Sequence, residues 1–171
     1  MGSKNKLKRF RENETFKNVF QPSRADLVEG EYELKGNWRQ LFFKNDNPLV
    51  LELGCGKGEY SVELAKKYPS KNFIGIDIKG ARFWRGAKTA IEESIENVAF
   101  IRTQIELIEH VFSENEVDEI WITFPDPQIK YKRTKHRMTN SEFLKRYKKV
   151  LKPEGVVNLK TDSEFMHGYT L

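Results

Sequence analysis

Cysteine is nearly absent from this chain of 171 residues: Cys55 stands alone, so no internal disulfide can form and a reducing, cytoplasmic compartment is expected. No apolar run approaches the ~18 residues of a membrane-spanning helix. The basic amino terminus is followed by no apolar segment, so it does not read as a secretory signal. Met1-Gly2 suggests lipid attachment, but Lys6 occupies the place where Ser or Thr is required. Histidines number 3, and His136 has no Cys or His at ligand spacing, so no metal is expected. There is no internal repeat and no low-complexity linker. What remains is 38% hydrophobic and 32% charged, the balance of a folded soluble protein, in a length suited to one domain.

The most informative stretch is Leu49-Val-Leu-Glu-Leu-Gly-Cys-Gly-Lys-Gly58. Val50, Leu51 and Leu53 form the near-continuous apolar run of a strand covered on both faces. Gly54, Gly56 and Gly58 break it, where a missing β-carbon permits left-handed backbone and close approach of a ligand. Residues 59–68 follow with Tyr60, Leu64 and Tyr68 at helical spacing. Strand, glycine turn and helix open a nucleotide-binding α/β unit. Within that turn Cys55 reads as a small packing residue rather than a nucleophile.

The same alternation continues down the chain. Strands are expected at 72–78, 98–101, 117–124 and 156–160. Helices are expected at 37–44, 79–95, 105–112 and 139–151, the last opened by a capping box of Thr139 and Glu142 and ended by Pro153 to Gly155. A further helix begins after Asp162. Five strands alternating with helices at short spacing predict an α/β fold: a doubly wound, mostly parallel sheet with helices on both faces. Functional residues in such folds gather at the carboxyl ends of the strands, which here are Gly54, Asp77, Gln104, Asp126 and Asp162. Asp77 lies 19 residues after Gly58, where an acidic side chain can accept from both hydroxyls of an adenosine ribose. A helix N-cap is the simpler reading of the same residue.

Net charge is +5, but its distribution says more: ten Lys or Arg fall between Ile129 and Lys152 against Glu142 alone, and seven against two between Met1 and Arg24. Two basic clusters on an otherwise balanced domain suggest a polyanionic partner. Residues 1–36 are expected as a basic arm and 37–171 as the domain. In the arm, Lys4, Lys6, Lys8, Arg9 and Arg11 interleave with Phe10, Phe16 and Phe20. It is either a solvated terminus or a phosphate-contacting arm whose aromatics dock on the domain or stack on bases. Lys145, Arg146, Lys148 and Lys149 read equally well as the solvated face of a helix.

A dinucleotide fingerprint needs G-x-G-x-x-G; here the spacing is Gly54-x-Gly56-x-Gly58, preceded by Glu52. That resembles the first motif of S-adenosylmethionine-dependent methyltransferases. With Phe124-Pro-Asp-Pro127, the basic run to Arg137, and Lys160-Thr-Asp162, the chain resembles the bacterial tRNA (guanine-N7-)-methyltransferase family, which methylates guanine 46 in the variable loop. The resemblance implies a Rossmann-like class I methyltransferase fold with S-adenosylmethionine as cofactor and tRNA as partner, without membrane or metal, as monomer or homodimer. It implies that Glu52, Gly54, Gly56, Gly58, Asp77 and Gln104 bind the cofactor. Asp126 falls at the family's catalytic aspartate, next to both cofactor and guanine, and Lys130 and Asp162 fall at substrate-contacting positions. Lys132, Arg133 and Arg137 are then expected on the tRNA backbone, with Lys135 and His136 beside them. The family pattern also implies two further strands and a Thr-x-x-Glu motif beyond Leu171, so the last strands of the sheet are expected to be missing here.

Two rivals follow from the same residues. One is a methyltransferase acting on a small molecule or on an exocyclic amine of nucleic acid, whose usual Pro-Pro-aromatic pattern Pro125-Asp-Pro127 does not match. The other is a non-catalytic tRNA-binding subunit, favoured by Gln104 and by the position of Leu171.

Overall fold

A computed structural model describes residues 3–171, with side chains from Asn5 onward. Met1, Gly2 and the Lys4 side chain, and the lipidation and arm readings placed on them, lie outside the described residues. Six strands form one sheet: β1 (Val19–Phe20), β2 (Leu49–Leu53), β3 (Asn72–Asp77), β4 (Val98–Arg102), β5 (Val117–Thr123) and β6 (Leu151–Lys160). Their spatial order is β1-β4-β3-β2-β5-β6 and every pairing is parallel. Crossovers are made by α3 (Glu59–Lys67), α4 (Gly80–Glu92), α5 (Ile108–Val111) and α6 (Ser141–Val150). Before them come α1 (Ser3–Thr15) and α2 (Arg24–Val28), and α7 (Glu164–Thr170) closes the chain. The doubly wound α/β fold read from the sequence is the fold observed.

Because strand side chains alternate between faces, β2 feeds two cores. Leu49, Leu51 and Leu53 join Ile74, Ile76, Trp38, Ile108, Phe143 and Tyr147 on one side. Val50 joins Val62, Phe73, Phe83, Ala87 and Phe100 on the other, beneath α3 and α4. The expected helix at 37–44 is a π-helical turn, Trp38–Phe43. It delivers Trp38 into the core with no exposed surface, its Nε1 donating to the Val111 carbonyl at 3.1 Å.

Local details differ from the sequence pattern in three places. The cap of α6 is Asn140, whose side chain accepts from the Phe143 N–H at 2.9 Å, while the Thr139 hydroxyl is bonded to that of Thr170 at 2.8 Å. The helix expected at 105–112 is a 3₁₀ turn (Ile105–Leu107) leading into the short α5. Leu151 already pairs with Val117, Lys152 to Gly155 loop out, and pairing resumes at Val156 with Glu119.

The amino-terminal segment is built onto the domain. α1 lies along α4: Asn13 Nδ2 donates to the Gly80 carbonyl at 2.9 Å and Arg9 Nη1 to that of Ala81 at 3.3 Å. Asn18 Nδ2 donates to Ala87 at 3.1 Å, and β1 then extends the sheet beside Phe100 and Ile101 of β4.

Candidate active site

The carboxyl ends of β2, β3 and β4 converge on one cavity of about 350 Å³, lined by Gly54, Asp77, Thr103, Gln104, Met138 and Phe143, with Ile78, Ile105, Glu106 and His136 completing it. The glycine turn forms one edge. Gly54, Gly56 and Gly58 adopt φ of 71°, 55° and 76°, the left-handed region that costs a residue with a β-carbon about 1–2 kcal/mol. The turn is tied to β3: the N–H groups of Gly54 and Cys55 both donate to the Ile76 carbonyl, at 2.8 and 3.0 Å. Gly54 and Gly58 do different things. A β-carbon on Gly54 would meet only the end of the Met138 side chain, Sδ at 3.9 Å and Cε at 4.0 Å, so this residue opens to the cavity. One on Gly58 would lie 2.5 Å from Phe100 Cε1, so Gly58 serves the packing of α4 and β4 against the turn rather than the cavity wall.

Asp77 ends β3 with both carboxylate oxygens engaged: Oδ2 accepts from the Gly56 N–H and Oδ1 from the Lys79 N–H, each at 2.9 Å. It thus fixes the turn and the start of α4 at once. A carboxylate has about four lone-pair positions, so each oxygen keeps capacity for a further donor.

Glu52, next to the turn on β2, is 4% exposed, and its Oε2 has no hydrogen-bond partner. Burial, and then the charge of Asp77, push its carboxyl up to about 8. A buried carboxyl without a donor is costly, and it suits a ligand bringing a cation with N–H groups. The α-ammonium of S-adenosylmethionine is such a group, so the residues present fit that cofactor.

Beyond β5, residues 124–137 carry most of the expected substrate contacts. The segment enters through Phe124 and turns at Gln128, both with left-handed φ of 47° and 49°, and Phe124 N–H donates to the Lys160 carbonyl of β6 at 2.7 Å. Asp126 is exposed at the apex, its Oδ1 accepting from the Gln128 N–H at 3.0 Å. Lys130, Lys132, Arg133 and Lys135 are exposed around the 3₁₀ turn Tyr131–His136. Asp162 is exposed between β6 and α7. These residues lie on the same carboxyl-terminal rim as the cavity but do not line it.

Arg137 is set apart from the other basic residues of its run. It is 6% exposed; Nε and Nη2 donate to the carbonyls of Gln128 and Ile129, each at 3.1 Å. Its guanidinium lies 4.8 Å from the Phe165 ring and 4.6 Å from that of Tyr169. The side chain expected on tRNA instead clamps the Asp126 segment to α7, because the two aromatics of α7 bury it. The cavity residues that the sequence reading did not name (Ile78, Thr103, Ile105, Glu106, Met138, Phe143) come from segments far apart in the chain. Of these only Ile78 and Thr103, at or just past strand ends, carried a positional signal.

A family model described as "Putative methyltransferase" matches residues 46–170. The tRNA (guanine-N(7)-)-methyltransferase of Christiangramia forsetii is 77% identical over 171 residues, which take in 100% of this chain and 76% of that protein. That of Bacteroides thetaiotaomicron is 51% identical over 167 residues, 98% of this chain and 66% of the relative. Among solved structures, an aminoglycoside resistance methyltransferase matches with a TM-score of 0.60 at 19% identity, over 71% of this chain and 59% of that one. A 16S rRNA (adenine(1408)-N(1))-methyltransferase from Catenulisporales acidiphilia, crystallised with cosubstrate SAM, matches at 0.57 and 16% identity, over 68% of this chain and 57% of that one. At those identities the likeness is one of fold. With a family model covering residues 46–170, a relative 77% identical over the whole chain, and the glycine turn, Asp77 and Asp126 on one rim, this chain belongs to the bacterial tRNA (guanine-N7-)-methyltransferase family.

Proposed function

We propose that the protein transfers the methyl group of S-adenosylmethionine to N7 of a guanine in tRNA, guanine 46 of the variable loop. The observation that carries this reading is Glu52, a buried carboxyl with one oxygen lacking a partner beside the glycine turn. When bound, the cofactor supplies an electrophilic methyl on a sulfonium. Glu52 would take its ammonium, the backbone at Gly54 and Gly56 would admit the methionine portion, the remaining lone pairs of Asp77 would take the ribose hydroxyls, and Gln104 would meet the adenine. The 77% identical relative named as a tRNA (guanine-N(7)-)-methyltransferase supports the substrate.

Guanine N7 carries a lone pair and no proton to lose, so the protein needs no general base there. Its residues have to align the two reacting centres, keep water out and meet the charge that moves onto the purine. Asp126 suits the last of these. Its exposed carboxylate, fixed by the flanking prolines and its Asx bond to Gln128, can accept from the N1–H and N2–H edge of guanine and favour the cationic product. Lys130, Lys132 and Arg133 bind phosphates, and Asp162 lies beside the base. Arg137 holds the Asp126 segment in place.

Unmodified tRNA incubated with methyl-labelled S-adenosylmethionine and the protein tests the reading. Label should appear at N7 of guanine 46, located by reduction and chain cleavage at N7-methylguanine. Label on another base or atom, or Asp126→Asn with undiminished turnover, would count against it.

A further inference from the structure

Trp84 and Phe10 gather basic side chains on the side of the cavity opposite the Tyr131–His136 turn. Over Trp84, itself 7% exposed, lie Arg9 at 4.5 Å, Arg85 at 4.8 Å and Lys88 at 5.1 Å. Over Phe10 lie Arg102 at 5.3 Å and Lys6 at 5.8 Å. Lys79, Arg82, Arg85 and Lys88 recur every third residue along α4, which has no carboxylate between Lys79 and Ile91. Residues three apart on a helix are neighbours, so Arg82, Arg85 and Lys88 make one ridge, with Lys79 preceding it at the helix N-cap. Glu12 is the carboxylate set among them; it accepts from Trp84 Nε1 and lies 3.9 Å from Lys88 and 4.0 Å from Lys8.

The position of this array gives it meaning. Arg102 is the register partner of Asp77, and its Nε donates to the Ile78 carbonyl at 3.2 Å. Both Asp77 and Ile78 line the cavity, and His136 and Met138 line it from the other basic segment. The mouth of the cavity therefore lies between two cationic surfaces. Aromatic rings stiffen the cations above them, so less side-chain freedom is lost when a phosphate binds, and a guanidinium stacked on a ring still presents its N–H edge.

We infer that the α1–α4 face is a second RNA-contacting surface, which holds the phosphate backbone of the tRNA across the cavity from Lys130, Lys132 and Arg133. This rests on the proposed function for the substrate, and adds where the RNA is held. A polyanion larger than either patch bridges both, which positions the target base between them.

The test uses the whole protein and measures tRNA binding by fluorescence anisotropy as a function of salt, with methylation kinetics alongside. Lys6 and Arg85 are exposed and outside the cavity. Lys6→Gln with Arg85→Gln should weaken tRNA binding about tenfold, and should lower the slope of log affinity against log salt by about 2, nearly one for each lost phosphate contact. Affinity for S-adenosylmethionine and the thermal midpoint should stay at the wild-type values, and Lys6→Arg with Arg85→Lys should restore binding. Unchanged tRNA affinity and slope in the Gln pair would overturn the inference. Absence of N7 methylation by the wild type would overturn the proposed function instead, and the binding measurement would still decide this surface.

Discussion

Replacing Glu52 by Gln removes the one ionisable proton of a buried carboxyl, and its consequences can be worked through from the structure. The folded protein holds this group near 8, against 4.5 in the unfolded chain. Between those limits the native state carries one proton more than the unfolded state, so stability falls as pH rises. The contribution is fully present below pH 4.5 and is lost as pH passes about 8. At roughly 1.4 kcal/mol per pH unit, the whole loss is about 5 kcal/mol, of which about 3 kcal/mol has gone by pH 7. Glu52→Gln keeps the shape and abolishes this slope. Its amide needs an acceptor, at a cost of about 1–3 kcal/mol, so the slopes decide and absolute stabilities do not. Urea unfolding between pH 5.5 and 8.5 should show the wild type losing several kcal/mol relative to the variant. Cofactor binding reads the same group from the other side. An ammonium beside Glu52 favours its charged form, so binding to the wild type at pH 7 should release close to one proton, counted by calorimetry in buffers of different ionisation heat. Glu52→Gln should release none and bind about 10–100-fold more weakly, the value of a hydrogen bond to a charged group. Parallel stability curves for the two proteins, with equal proton release, would refute the reasoning.

Three other outcomes follow from named contacts. Gly58→Ala puts a β-carbon 2.5 Å from Phe100 at φ +76°; strain and overpacking together should cost about 2–5 kcal/mol, whereas Gly168→Ala, with no atom within 4 Å, should stabilise by about 0.4–1 kcal/mol in the same thermal melts. Asn140→Ala removes the α6 cap together with the bonds from Nδ2 to the Thr134 and Lys135 carbonyls, and should cost about 2–4 kcal/mol, while Thr139→Ala should leave the helix start intact by hydrogen exchange. Arg137→Lys keeps the charge but loses the planar fork over Phe165 and Tyr169. It should lower kcat about tenfold or more at unchanged tRNA affinity, the reverse of Lys132→Ala, which should raise KM at unchanged kcat; an Arg137→Lys effect on KM alone would contradict the clamp.

The order of elements was readable because burial on both faces of a parallel sheet forces the apolar runs seen at Leu49–Leu53, Asn72–Asp77 and Val98–Arg102, and because glycines take the left-handed turn between β2 and α3 without the cost a β-carbon brings. Asp77 was readable for the same reason, since a strand end next to such a turn is a fixed place in this fold. The two-residue strand β1 was not: Val19–Phe20 is too short for any alternation, and it is a strand only because the edge of β4 offers partners. Thr139 and Asn140 are both capping residues one place apart, and the bond between Thr139 and Thr170 decides which of them caps. The sequence likewise ranks Arg133 and Arg137 as equals in one basic run. Folding separates them, because Phe165 and Tyr169, some 30 residues further on, close over Arg137 and leave Arg133 in solvent. By itself the sequence determined five of the six strands, the glycine turn and the family, which depend on local pattern. Only the tertiary structure decided what each polar side chain faces, because that depends on neighbours brought in from elsewhere in the chain: a cavity for Gln104, an unpartnered interior for Glu52, and two aromatic rings for Arg137.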